Sequence, residues 1–252
     1  MSSLRVLFVV VTVFAFAPVW AVQAEVLREV QDAFEREVGG IGIDSIYREK
    51  LLRQVEELVR QSQAKLDSSQ FFLLVDRNHE IQKAFVVFYD VTEGKVVLIG
   101  GEKISTGNPK RRGYFETPTG IFPNKPANMS YRALGTKNKH GWRGFGVKGS
   151  RVWDIGWQRT VKGNGEPMGI RMLVHATDPE SGEQRLGSIQ SKGCIRVTWR
   201  FNRFLDYYGV LDREYEANVK AKYVLLAKRA PVSFAGKFVV IIDSGEFQRP
   251  AM

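Results

Sequence analysis

The chain has a single cysteine, Cys194, in 252 residues, and only three histidines, His79, His140 and His175. One thiol cannot close an internal disulfide, so a packed core has to hold the fold; a chain of this length buries enough surface for one domain with appendages. No two histidines lie two or four residues apart, which argues against a zinc hydrolase, and no metal or other cofactor is expected. A GxxxxGK[ST] run is missing, which disfavours a nucleotide enzyme, and there is neither an internal repeat nor a low-complexity tract.

Acidic residues are outnumbered, 27 against 37 basic ones, giving a net charge of +10. A basic chain is drawn to anionic surfaces such as a cell wall or a membrane face. The cations are spread along the sequence without a nucleic-acid-binding signature, so nucleic acid is not an expected partner. The long hydrophobic run from Leu4 to Trp20 follows Met1, Ser2 and Ser3, carries Arg5 near its start and Pro18 near its end, and is shorter than the ~20 residues of a spanning helix. It reads as a secretory signal peptide, residues 1–24, cleaved after Ala24, with retention as a membrane anchor as the alternative. The expected location is therefore the periplasm or cell envelope. There a lone thiol is either a buried small hydrophobe or a working nucleophile.

Two helices are predicted for an extension over 25–68. Leu27, Val30, Phe34 and Val38 share one face before Gly39, Gly40 and Gly42, and Leu51, Leu52, Val55, Leu58 and Val59 share another after Asp44 or Ser45. They read as a partner-binding or covering extension that acylation can do without. From Phe71 the texture changes to short strands, "FFLLV", "KAFVVFYD", "KVVLIGG" and "EKIST", with "DVTEG" as a hairpin loop. Residues 108–165 read as long loops around a site. "IRMLV" at 170–174 is a strand that delivers His175, and Phe201, Phe204, Leu205 and Tyr208 mark a short helix. "KYVLLAK" at 222–228 is predicted as the closing strand, and "KFVVIID" at 237–243 as a further strand outside the main pattern, in an extension over 230–252.

A thiol attacks a carbonyl as thiolate and needs a base or positive charge beside it. His79 and His140 fall in turn-like loops; His175 at a strand end is either a core residue or a base at a sheet edge. The pattern His175, fifteen residues, then Ser191, Lys192, Gly193, Cys194, Ile195, Arg196 resembles the signature of the L,D-transpeptidase catalytic domain (YkuD) family. Leu186 and Gly187 match a common pair of that family. Upstream, Ser105, Thr106 and Gly107 followed by Thr117, Pro118, Thr119, Gly120, Ile121 and Phe122 resemble its other marker. Ala176 stands where the family usually has glycine, and Lys192 where it often has histidine.

The resemblance covers residues 69–229 and implies a mainly β fold, a β-sandwich or mixed sheet with short helices, here preceded by the N-terminal helical pair. It implies Cys194 as nucleophile, His175 as base, and backbone N–H groups around Gly193 and Cys194 for the oxyanion. Ser191 is a candidate to orient His175 or the turn, and Arg196 to bind a substrate carboxylate or lower the thiol pKa. Trp142, Trp153 and Trp157 are candidates for the donor groove, with core packing as the alternative. The implied substrates are peptidoglycan tetrapeptide stems, which lose D-alanine and are joined to another stem, an envelope-protein lysine, a D-amino acid or water. A wall-binding module without activity is the reading from a different class. Sortases separate His and Cys much further, and papain-like amidases place Cys before His. The acyl acceptor, the third stem residue and the oligomeric state stay open at this level.

Overall fold

The computed structural model describes residues 19–62 and 66–246. The apolar run from Leu4 lies outside them except for its last residues, where α1 (Val19–Glu37) begins, and no described helix is long and apolar enough to cross a membrane. Then come α2 (Ser45–Gln61), β1 (Gln70–Asp76), β2 (Lys83–Asp90), β3 (Lys95–Lys103), β4 (Gly120–Pro123), β5 (Tyr131–Arg132), β6 (Arg151–Val161), β7 (Pro167–Ala176), β8 (Ile195–Val197), α3 (Trp199–Tyr207), α4 (Arg213–Ala217) and β9 (Phe238–Ile242). They build a five-stranded sheet in the order β3-β2-β1-β9-β4 and a four-stranded sheet in the order β5-β6-β7-β8.

Strand alternation divides the first sheet between two cores. Phe71, Leu73, Val75, Val86, Phe88, Val239 and Ile241 join Trp153, Met172, Val174, Ile195 and Val197 of the second sheet in the main core. Phe72, Leu74, Phe85, Val87 and Val240 face the other way, where Leu51, Val55 and Val59 of α2 cover them. A strand buried on both faces reads as an unbroken hydrophobic run, which explains "QFFLLVD" and "FVVII". Asp44 caps α2 by accepting from the N–H groups of Ile46 and Tyr47, each at 3.0 Å.

Helix α1 belongs to the main core. Val30, Ala33, Phe34 and Val38 are buried there, and the Phe34 ring meets Phe201 and Phe204 edge-on at 5.6 and 5.1 Å. A Cβ on Gly100 of β3 would lie 2.2 Å from that ring, so only glycine leaves room for it. The helices thus pack on the domain, and without them both faces of the first sheet lose part of their cover.

Four expectations change. The run at 222–228 is no strand: a 3-10 turn at Lys222–Val224 opens it, and the Val224 carbonyl accepts from the guanidinium groups of Arg132 and Arg151 rather than from a ladder. The strand at 238–242 sits inside the first sheet, parallel to β1 and antiparallel to β4. Residues 108–165 hold the eleven-residue β6, whose alternation is broken by a bulge between Asp154 and Gly156 and by the fully buried Arg151–Asp212 ion pair, so its sequence does not read as a strand. "KVVLIGG" and "EK" form one strand, and Ser105 leaves it to bridge Arg196 of the second sheet.

Phe34→Ala is expected to cost about 3–5 kcal/mol of unfolding free energy, the usual range for emptying a buried aromatic site. Denaturant titration measures it. A chain beginning at residue 66 is expected to unfold without cooperativity, and a sharp transition in that truncation would show the helices to be dispensable after all.

Candidate active site

Parallel pairing of β7 with β8 sets Val174 beside Ile195, His175 beside Arg196 and Ala176 beside Val197. Val174, Ile195 and Val197 face the main core, so Leu173, His175, Cys194 and Arg196 project from the opposite face of the sheet. Packing agrees: Cys194 lies against Ala133, Val152 and Leu173, and Val152 is the cross-strand partner of His175. The thiol and the imidazole therefore share one face on adjacent strands.

His175 is 3% exposed, and the Phe145 ring stands edge-on to it at 4.8 Å. Its Nδ1 lies 2.8 Å from the Ala176 carbonyl oxygen, an acceptor, so Nδ1 carries the proton and donates while Nε2 keeps its lone pair. Burial holds the imidazole down to about pKa 4, against the Ala176 hydrogen bond, which raises it; the nearby Arg196 charge lowers it further. Burial likewise pushes the Cys194 thiol above its ordinary value, opposed by a backbone hydrogen bond from Leu173 and by Arg196, and assisted by Asp154. Both groups rest uncharged at neutral pH.

The turn carrying the thiol is fixed from three sides. Ser191 Oγ accepts from the Gly193 N–H at 3.0 Å and donates to the Cys194 carbonyl at 2.5 Å. Of its two candidate tasks the serine therefore performs the turn-bracing one. The Gly193 N–H, expected as an oxyanion donor, is already engaged by that hydroxyl. Gly193 has φ +120°, and a Cβ there would meet Ile170 at 2.7 Å, so glycine is required on both counts. The upstream motif supplies the second side: Ser105 exchanges backbone hydrogen bonds with Arg196 at 2.8 and 2.9 Å, and the Thr106 carbonyl accepts from Ser191 N–H at 2.9 Å. Thr117 supplies the third, its hydroxyl donating to the Gly193 carbonyl and accepting from the Gly107 N–H, both at 2.9 Å.

Beside this face lies a cavity of about 620 Å³ lined by Arg111, Tyr114, Trp142, Arg185, Lys192 and Arg196 among others. Its five cationic side chains face a single lining carboxylate, Asp178, which Arg143 already pairs at 3.3 Å. Arg185 stacks over Trp142 at 4.7 Å, and Arg111 over Tyr114 at 4.5 Å. Burial lowers the Arg196 pKa, and its Nε is buried with no hydrogen-bond partner among the described residues. A buried guanidinium nitrogen without a partner is a costly arrangement that a carboxylate ligand relieves.

The tryptophans separate. Trp153 is 0% exposed in the main core, so it cannot line a groove; its place on the inner face of β6 rules out the expected contact. Trp157 is 72% exposed and pairs with Arg171, which puts it on the face of Leu173 and His175, about 13 Å along the strand from the histidine. Trp142 lines the cavity, as does His140, while His79 lies in a turn away from the thiol. Sequence reasoning missed Phe145, Tyr131 and the role of Thr117. Tyr131 sits in a two-residue strand with no readable period, and Phe145 in an irregular loop. Thr117 alone carried a signal, its place in the quoted motif.

The family model of the L,D-transpeptidase catalytic domain (YkuD) matches residues 71–225. A comparison with curated proteins finds no match. Among solved structures, a point mutant of the helical cell shape determining protein Pgp2 from Campylobacter jejuni is similar at 14% identity and a TM-score of 0.34. That match covers 77% of this chain and 55% of the other, so the chain spans about half the length of that protein. The model runs over more than half of the sequence, through both motifs and every residue of the thiol-bearing turn, and the chain belongs to the L,D-transpeptidase catalytic domain (YkuD) family.

Proposed function

We propose that the protein is a cysteine-dependent L,D-transpeptidase of the cell envelope, acting on peptidoglycan stem peptides. The observation that carries this is the shared face of Cys194 and His175, with the Nε2 lone pair free to take a proton. As Sγ attacks the carbonyl of the third stem residue, its proton passes to Nε2, and the negative charge of the tetrahedral intermediate settles on the carbonyl oxygen. Collapse breaks the peptide bond, His175 returns the proton to the departing D-alanine amine, and a thioester remains. An acceptor amine then attacks the thioester, gives a proton to Nε2 and releases the thiol. A second stem as acceptor gives a crosslink, an envelope-protein lysine an attachment, and water a shortened stem. The basic cavity suits a donor rich in carboxylates, with Arg196 as the buried guanidinium that meets one. Trp157 offers an exposed ring on the same face. The apolar run from Leu4 to Trp20 serves as the export signal in this reading.

Incubation with tetrapeptide muropeptides is expected to add an acyl tripeptide to the protein, seen by intact mass, with release of D-alanine. Cys194→Ala abolishes the adduct and His175→Ala slows it by at least ~100-fold. Wild-type protein that stays unmodified while sedimenting with sacculi would instead make it a binding module. Product masses distinguish crosslinked dimers from tripeptides.

The imidazole is neutral above about pH 4, so the acid limb of kcat/KM is expected near pH 4. Stability follows the same group: its folded pKa lies below the unfolded value, so the unfolded chain binds the extra proton between about pH 4 and 6.5. Stability is full above that window and falls by about 3 kcal/mol as the pH drops through it, a change that His175→Gln removes. An acid limb near 6.5, or identical pH-stability curves for the two proteins, would contradict the buried neutral imidazole.

A further inference from the structure

Thr117 is buried at 0% exposure and its hydroxyl makes two hydrogen bonds, accepting from Gly107 N–H and donating to the Gly193 carbonyl. Neither bond is replaceable by solvent in that position. A Cβ on Gly107 would lie 1.9 Å from the Phe115 carbonyl oxygen and 2.9 Å from the Gly193 Cα, so the backbone at Gly107 is packed closely between the segment leading to Thr117 and the thiol-bearing turn. The Thr117 carbonyl is itself held by Arg77 Nη1 at 2.6 Å.

The peptide joining Gly193 to Cys194 is one planar trans unit, so its C=O and N–H point in opposite directions. Whatever fixes the Gly193 carbonyl also fixes the direction of the Cys194 N–H. The Gly193 N–H is taken by Ser191, which leaves the Cys194 N–H as the donor of this pair for the oxyanion. We infer that Thr117 is a positioning residue whose hydroxyl holds the Gly193–Cys194 peptide plane and so aims the Cys194 amide at the developing oxyanion. The inference rests on the transpeptidase reading above and gives the threonine of the upstream motif a task in it.

The experiment compares wild type, Thr117→Val and Thr117→Ser in two reactions of the same thiol. Acylation by a tetrapeptide donor or a penem passes through an oxyanion; alkylation by iodoacetamide does not. Thr117→Val is expected to lower the acylation rate about 10- to 100-fold with little change in KM, somewhat less than the loss of an entire oxyanion donor. Iodoacetamide alkylation is expected to stay within about twofold of wild type across the pH range, because the thiol and its neighbours are unchanged, and Thr117→Ser is expected to restore acylation. Equal acylation by Thr117→Val and wild type would overturn the inference, as would a parallel loss in both reactions, which marks a role in folding alone. If Thr117→Val fails to fold, a Thr117→Ser protein that folds yet acylates no better than about a tenth of wild type overturns it, since the hydroxyl is retained. A wild-type protein that alkylates but never acylates refutes the transpeptidase reading itself, a result separate from any difference among the variants.

Discussion

Three residue pairs of parallel strand decide where the chemistry sits. β8 is only Ile195–Val197, yet its pairing with β7 determines which side chains turn outward beside His175. Because side chains alternate, a slip of one residue would send Cys194 and Arg196 into the main core and bring Ile195 out. The alternative is closed by burial: Val174, Ile195 and Val197 are fully buried among aromatic and aliphatic side chains, and a guanidinium in their place would be stranded without a partner. Hydrophobic packing on one face thus specifies where the thiol and the imidazole stand on the other. Ser105 secures the far edge of β8 through its bridge to Arg196, so even this short strand has neighbours on both sides.

The same burial sets the electrostatic character of the site. Phe145 covers His175, and Ala133, Val152 and Leu173 cover one side of the partly buried Cys194. Charging the imidazole there costs about 3 kcal/mol relative to water, from a pKa near 4 against 6.5, and burial also raises the thiol. A standing thiolate–imidazolium pair is therefore disfavoured in the free protein. In the proposed reaction, charge separation becomes favourable when an oxyanion forms against the amide of the turn, since proton transfer to Nε2 and charge on the substrate then develop together. That reading couples proton transfer to attack and leaves the thiol uncharged until a substrate arrives.

Much of this was legible in the sequence, for physical reasons that differ by element. β2 was readable as an unbroken apolar run bounded by polar residues, and α2 because its apolar positions follow a helical period and Asp44 marks a cap. The partnership of His175 and Cys194 was readable through the family motif they belong to, whose intervening loop joins two adjacent parallel strands. β6 was hidden by its bulge and by Arg151, a buried charge whose partner Asp212 lies 61 residues away. The strand at 238–242 was seen but misplaced, because an apolar run carries no label for the neighbour it pairs with. Trp153 and Trp157, four residues apart on one strand, look alike in sequence; the bulge and the pairing with β7 bury one and expose the other.

The segments that looked like appendages reach the site by separate routes. From the N-terminal side, Phe34 wedges between Gly100 and the rings of Phe201 and Phe204, holding α3 against the sheets immediately after β8. From the C-terminal side, β9 fills the place between β1 and β4 and is followed by Asp243, whose carboxylate meets Arg77 Nε at 3.3 Å. Arg77 also pairs with Glu116 at 3.1 Å and Glu246 at 2.9 Å. Three carboxylates and a carbonyl surround this buried guanidinium, although its Nε makes no hydrogen bond among the described residues, and removing one partner leaves charge uncompensated. Its remaining bond goes to the Thr117 carbonyl, one residue's length from the hydroxyl that holds Gly193. The residue after β9, beyond the matched residues 71–225, is in this way three contacts from the peptide that bears Cys194.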